Sequence, residues 1–214
     1  MKKLLVLVLL VVQGCIVATI FWEQEYKYVQ PTPIPENHRE VEVGSNIDFS
    51  HTALASISTP LFIHYFNDEC PCSRFNLKHF RSIYNKHKND LNFVVVVEDG
   101  KDPTTIAEAF PEGIHIITDT PDAKIALVCG IYATPQAVII DQQHQLYYKG
   151  NFNKARYCTQ PTSNYAQQAV EDFIGGKPAP FFGWSAVQAY GCSLSVYDSS
   201  NSNNIIQTLL TDFN

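Results

Sequence analysis

The chain has 214 residues, 45% of them hydrophobic, and sets 15 basic against 21 acidic side chains for a net charge of -6. A chain of this length can bury one full core and still carry extensions. The acidic balance leaves no basic stripe with which to hold nucleic acid. Six cysteines, Cys15, Cys70, Cys72, Cys129, Cys158 and Cys192, are too few and too dispersed for a disulfide-held miniature domain. Their chemistry therefore depends on the redox state of the compartment.

Lys2 and Lys3 precede an apolar run from Leu4 to Trp22 that is broken only by Gln13, Gly14 and Thr19. Residues 1–22 are expected to be a signal anchor in the inner membrane, lysines on the cytoplasmic side and the rest facing the periplasm. Trp22, Tyr26 and Tyr28 would sit near the outer interface. A cleaved secretory signal is the rival reading, and Val12-Gln13-Gly14-Cys15 loosely resembles a lipoprotein box that would lipidate Cys15. All three readings export the body of the chain. Residues 23–46 are polar, with Pro31, Pro33 and Pro35 alternating and no regular period, so a semi-extended spacer is expected there. A folded domain is expected over 47–196 and a polar, Ser- and Asn-rich tail over 197–214.

Residues 47–58 are ambiguous between an edge strand and a short helix. A buried strand is predicted over 61–66, and an amphipathic helix over 73–89 with Leu77, Phe80, Ile83 and Tyr84 on one face. Residues 91–97 read as a strand buried on both sides. Thr105 with Glu108 suggests a capping box for a short helix ending near Phe110. A short strand follows at 114–117, then a helix starting at Thr120-Pro121 and stopping at Gly130. Strands over 136–140 and 146–148 flank a hairpin loop, and a last helix covers 163–174 before Gly175-Gly176. This order predicts an α/β domain with a mixed sheet, parallel where helices intervene and antiparallel across the short loop.

Cys70-Pro71-Cys72 stands where the first strand hands over to the first helix of the domain. Unpaired N–H groups and the helix dipole favour thiolate there. Asp68 and Glu69 oppose that by like-charge repulsion, so Arg74 or the first-turn amides must outweigh them. Residues two apart on a helix point to nearly opposite sides, so a Cys70–Cys72 bond needs non-helical backbone at Pro71. Otherwise a distant thiol, Cys158 or Cys192, resolves what Cys70 attacks. Cys158 and Cys192 bonded to each other as a structural disulfide is the competing expectation. Cys129, beside Ile125 and Val128 on one helix side, reads as a buried small hydrophobe. His64, His79, His115 and His144 read as solvated or hydrogen-bonded rather than as ligands.

Gly130-Ile131-Tyr132-Ala133-Thr134-Pro135, then Val138-Ile139-Ile140-Asp141 and Tyr148-Lys149-Gly150, resemble the second half of thioredoxin-like and redoxin proteins. Residues 66–76, with Cys70-Pro71-Cys72-Ser73, resemble a group of bacterial thioredoxin-like proteins of undefined function. Gly175-Gly176-Lys177-Pro178 and Gly191-Cys192 resemble that group's ending, so the resemblance spans 61–192. It implies a thioredoxin-like mixed sheet flanked by helices and a cis Pro135 whose loop lies against Cys70. It also implies an exported thiol-disulfide oxidoreductase in which Cys70 attacks and Cys72 is its internal partner or resolving thiol. Pro71 and Thr134 would border a groove that takes an extended peptide as an added strand.

The usual C-x-x-C of such oxidoreductases is altered, because Ser73 stands where the second thiol is expected. The implied partners are a thiol or disulfide protein and a membrane electron donor; no cofactor and no resident metal is called for. Three rivals accompany this reading. One is a Cu(I)-binding module using the soft thiolates of Cys70 and Cys72. Another is a thiol peroxidase, although Asn67 stands where Thr or Ser is expected. The last is a non-catalytic domain docking through Tyr190-Gly191-Cys192 and the tail.

Overall fold

Strand β1 (Leu61–Phe66) is buried at every position, and its alternating side chains feed two different cores. In this computed structural model, which describes residues 2–26, 30–155 and 160–197, Leu61, Ile63 and Tyr65 enter one core. Phe62 and Phe66 enter the other. Helix α1 (Lys2–Gln24) precedes the domain, buries none of its residues and is long and apolar enough to cross a membrane. Its 23 residues rise about 34 Å, slightly more than a hydrocarbon core.

After β1 come α2 (Pro71–His87), β2 (Asn92–Val97), the short α3 (Pro103–Ala107), β3 (His115–Thr118) and α4 (Lys124–Cys129). Strands β4 (Ala133–Thr134), β5 (Gln136–Ile140) and β6 (Leu146–Gly150) follow, then α5 (Tyr165–Ile174), α6 (Trp184–Val187) and β7 (Cys192–Ser193). The main sheet has the order β3-β2-β1-β5-β6. It is parallel across β3-β2-β1, where helices make the connections, and antiparallel across β1-β5-β6. A two-stranded ribbon joins β4 to β7.

Helix α2 buries Ser73, Asn76, Phe80, Ile83 and His87, a spacing of three and four that keeps one face on the sheet. Its apolar side and that of α5 close the core around Phe62, Phe93, Val95 and Ile139. The opposite core gathers Val94, Val96, Val138 and Ile140 beneath α4 and residues 47–54.

Several local expectations are corrected by hydrogen bonding. Helix α3 is capped by Asp102, whose carboxylate accepts from Thr104 N at 3.0 Å, with Pro103 in its first turn, rather than by a Thr105–Glu108 box. Helix α4 begins at Lys124, not Thr120. Asp119 takes its first amides, with Oδ1 accepting from Ile125 N at 3.0 Å and Oδ2 from Ala126 N at 3.1 Å. Gly130, at φ 66°, ends that helix in the left-handed conformation that suits a residue without Cβ. A 3-10 turn at Pro161–Ser163 precedes α5.

The stretch expected as a spacer over 23–46 is, from Pro31 onward, attached to the domain. Thr32 N donates to Ala189 O at 2.8 Å, and Lys149 Nζ donates to Glu40 Oε1 at 2.6 Å. The His38 ring stacks edge-on against Tyr132. Residues 47–58 form turns rather than a strand or helix, and bury Ile47, Phe49 and Leu54. The tail beyond Tyr197, Cys158 and Tyr28 lie outside the described residues.

His64 is fully buried against Phe66, Phe80, Phe110 and Phe152, with the Phe152 ring centre 4.6 Å away. Neither ring nitrogen has a well-formed hydrogen bond, and a backbone group of Gln136 only partly offsets the effect of burial, which pushes the imidazole down from 6.5 to about 3. Between those values the unfolded ring binds a proton that the folded ring refuses, so stability falls as the pH drops from 6.5 towards 3. The loss from this one group approaches about 1.4 kcal/mol per pH unit. In urea unfolding measured from pH 7 to pH 4, His64→Phe should lose stability with a clearly shallower slope than the native chain.

Candidate active site

Asn67 organises the turn between β1 and α2. Its Oδ1 accepts from Glu69 N at 2.9 Å, its backbone oxygen from Cys70 N at 3.1 Å, and its own N–H reaches Ser73 Oγ at 3.4 Å. This arrangement places Cys70 at the N-cap of α2 with extended backbone, and Pro71 at the first helical position, where its missing N–H costs nothing. Cys70 therefore faces the positive end of a 17-residue helix. The two carboxylates beside it do not act alone. Lys101 Nζ lies 2.8 Å from Glu69 Oε2 and 3.4 Å from Asp68 Oδ1. Burial pulls the Lys101 ammonium down, but bonds to Glu69 and Asp68 outweigh it and hold its pKa above the usual lysine range. Arg74 donates to the Asp68 carbonyl at 3.3 Å rather than to either carboxylate.

The Thr134-Pro135 peptide is cis, and Thr134 O lies 3.5 Å from Cys70 Sγ. The edge of this turn is occupied. Strand β7 pairs antiparallel with β4, Ala133 opposite Ser193 and Thr134 opposite Cys192. That register sets Cys192 over Cys70, and the two are joined in a disulfide with Cα atoms 6.0 Å apart, inside the span such bonds allow. Cys70 is only 1% exposed, buried in a cluster with Cys72 and Tyr190 against which Cys192 packs.

Two polar clamps hold the segment that carries Cys192. Tyr190 OH donates to Asn153 Oδ1 at 2.6 Å and accepts from Asn76 Nδ2 at 3.4 Å, while Asn153 Nδ2 donates to Asn76 Oδ1 at 3.0 Å. Asn76 Nδ2 also donates to Cys72 O at 2.9 Å, which ties the ring of contacts to the first turn of α2. On the other side, Glu98 at the end of β2 accepts from Ser195 N at 2.7 Å and from Asn67 Nδ2 at 3.1 Å. One buried carboxylate thus holds the loop before Cys70 and the turn after Cys192.

A family model described as a domain of unknown function, DUF6436, matches residues 44–195. The chain belongs to the DUF6436 family. Among functionally curated proteins no relative matches it. A hypothetical protein of Sinorhizobium meliloti superposes with a TM-score of 0.57 at 17% identity, covering 73% of this chain and 95% of that one. An uncharacterised conserved protein of Geobacillus kaustophilus gives 0.60 at 14%, covering 77% and 96%. A putative thiol:disulfide interchange protein DsbE of Chlorobium tepidum gives 0.46 at 14%, covering 64% and 98%. The fold is thioredoxin-like, a five-stranded mixed sheet flanked by helices with an apolar helix ahead of it.

In this DUF6436 chain, Cys70, Pro71, Cys72, Thr134, Pro135 and Cys192 meet at one place, while Cys158 lies outside the described residues. Cys192 is bonded to Cys70, so the expected Cys158–Cys192 structural disulfide is corrected. The Cys70–Cys72 pair is corrected too, since Pro71 is already helical and carries Cys72 inside the first turn, away from the bond that Cys70 makes. In this disulfide-bonded form β7 occupies the edge at Thr134 where an added strand is expected. Cys129 is fully buried, and burial together with the Asp119 carboxylate pushes its thiol up, so it stays protonated. Among the described residues no three His, Cys, Asp or Glu side chains converge as metal ligands.

Glu98, Lys101, Asn153 and the coupling role of Asn76 escaped the sequence reading. Only tertiary contact brings them to the motif, and no local pattern announces it. Lys101 supplies the positive charge that offsets Asp68 and Glu69. In the reduced protein, Lys101→Ala should shift the pH profile of Cys70 alkylation by iodoacetamide to higher pH, with Asp68→Asn in the same background moving it back.

Proposed function

We propose that the chain is an exported, membrane-tethered thiol-disulfide oxidoreductase whose working couple is Cys70 and Cys192. The observation that carries this reading is the disulfide between them, set at the N-cap of α2 and against the cis Thr134-Pro135 turn. A thiol at a helix N-terminus is deprotonated more readily than a free one, and the Lys101 ammonium near Asp68 and Glu69 offsets part of the negative charge that would oppose this. Helix α1 supports tethering, and a disulfide at the site suits an oxidising space outside the cytoplasm.

The chemistry runs in two exchanges. In the reduced protein the Cys70 thiolate attacks one sulfur of a substrate disulfide, forming a mixed disulfide and releasing one substrate thiolate. The Cys192 thiolate then attacks the Cys70 sulfur, the mixed disulfide breaks, and the second substrate thiolate leaves. Two electrons pass to the substrate, its two sulfurs take up the protons that the cysteines gave, and the Cys70–Cys192 bond is restored. A dithiol donor at the membrane returns the electrons. Cys72, buried behind Cys70, lines the closed side of the couple, and Pro71, Thr134 and Pro135 shape the side from which a substrate strand approaches.

Reduction of a model protein disulfide by the full chain tests this. Cys70→Ser should fall to the uncatalysed rate, while Cys192→Ser should complete the first exchange and accumulate a mixed disulfide at Cys70 visible by mass spectrometry. Activity retained in Cys70→Ser would overturn the assignment.

A further inference from the structure

The segment that covers Cys70 is seated as a bound peptide would be. Residues 190–193 run Tyr-Gly-Cys-Ser. The cysteine is joined to Cys70, the strand pairs with Ala133–Thr134, and the residue two before the cysteine drops its ring into the buried cluster, where Asn76 and Asn153 take both sides of its hydroxyl. The residue between them has no freedom of choice. Gly191 sits at φ 129°, and a Cβ there would overlap the Thr134 carbonyl oxygen and crowd Pro135 Cδ at 3.3 Å.

From this geometry we infer that the strand-binding edge at Thr134 selects cysteine-bearing partners of the form aromatic-Gly-Cys, and that residues 190–192 are a tethered copy of that partner sequence. The inference rests on the proposed thiol exchange at Cys70 and specifies what it acts on. Three contacts do the selecting. The phenol pocket between Asn76 and Asn153 favours a tyrosine two positions before the reacting cysteine, because an empty or apolar occupant leaves those two amides with a lost partner. The Thr134 carbonyl excludes any side chain at the position before the cysteine. Pairing with Ala133–Thr134 requires an extended strand. The tethered copy competes for the same edge at roughly millimolar effective concentration, so a partner engages best when the copy is reduced and lifted away.

The test uses the full chain in detergent with Cys192→Ala, and the same chain with Tyr190→Ala added to vacate the phenol pocket. Three peptides, Ser-Tyr-Gly-Cys-Ser, Ser-Ala-Gly-Cys-Ser and Ser-Tyr-Ala-Cys-Ser, each carry the cysteine as a mixed disulfide with 5-thio-2-nitrobenzoate. Attack by Cys70 joins the peptide to the protein and releases the coloured thiolate, which gives the rate; Cys70→Ser in each background supplies the blank. In the double variant the Tyr-Gly-Cys peptide should react roughly tenfold faster than either of the others, about the worth of one hydrogen-bonded contact. In Cys192→Ala, where residues 190–191 still compete for the edge, all three peptides should react more slowly and keep the same order of preference. If Tyr190→Ala does not fold, the comparison of the two tyrosine peptides in Cys192→Ala alone decides. Rates equal within twofold for all peptides would overturn the inference. Failure of Cys70 to react even with the free aromatic disulfide reagent would instead overturn the thiol-exchange reading beneath it.

Discussion

Two residues paired with two others hold this site together: Ala133–Thr134 against Cys192–Ser193. The antiparallel register puts Cys192 opposite Thr134, and Thr134 O is already 3.5 Å from Cys70 Sγ. Shifted by one residue, the pairing would turn Cys192 to the other face of the ribbon. The remaining features of the site work to keep that register. Gly191 lets the chain approach the turn without a Cβ, Tyr190 anchors it upstream through Asn76 and Asn153, and Glu98 anchors it downstream at Ser195 N.

These anchors couple the redox state to the packing of the domain. A bond between residues 122 apart in sequence restricts the unfolded chain by an amount worth about 4 to 5 kcal/mol on the chain-entropy account. Reduction removes that restriction and leaves the segment held by the short ribbon and a handful of buried hydrogen bonds, each worth about 0.5 to 1.5 kcal/mol. The same segment receives the chain from the N-terminal helix, since Thr32 N bonds Ala189 O next to Tyr190. The attachment at Thr32, the cover over Cys70 and the bond to Cys192 thus form one continuous unit. The burial of Cys70 in this disulfide-bonded form is supplied in part by the segment that carries Cys192.

Much of the fold could be read from local pattern. Strands 61–66 and 136–140 coincide with β1 and β5, because runs such as Leu-Phe-Ile-His-Tyr-Phe leave no polar face and must be buried on both sides. The position of Cys70 at a helix start also followed from residues close in sequence, whereas the cis Thr134-Pro135 turn followed from the resemblance to thioredoxin-like proteins. Long-range facts did not. Nothing near Cys192 states that it would meet Cys70 rather than Cys158, because disulfide connectivity depends on which strand edges are free once the sheet is built. Glu98 and Lys101 look like ordinary surface charges until the turn after β2 is folded beside the motif. Proline-rich residues 31–46 read as a linker, yet their few anchoring groups, Thr32, His38 and Glu40, are spaced to meet Ala189, Tyr132 and Lys149.

The central claim is that Cys70 and Cys192 are each other's partners in the native protein. Acid-quenched protein from intact cells, blocked at free thiols and digested without reduction, would show this directly by mass spectrometry. The account predicts a linked pair of peptides containing Cys70 and Cys192, which separates on mild reduction. A peptide pair linking Cys158 to Cys192, with Cys70 recovered blocked as a free thiol, would contradict it.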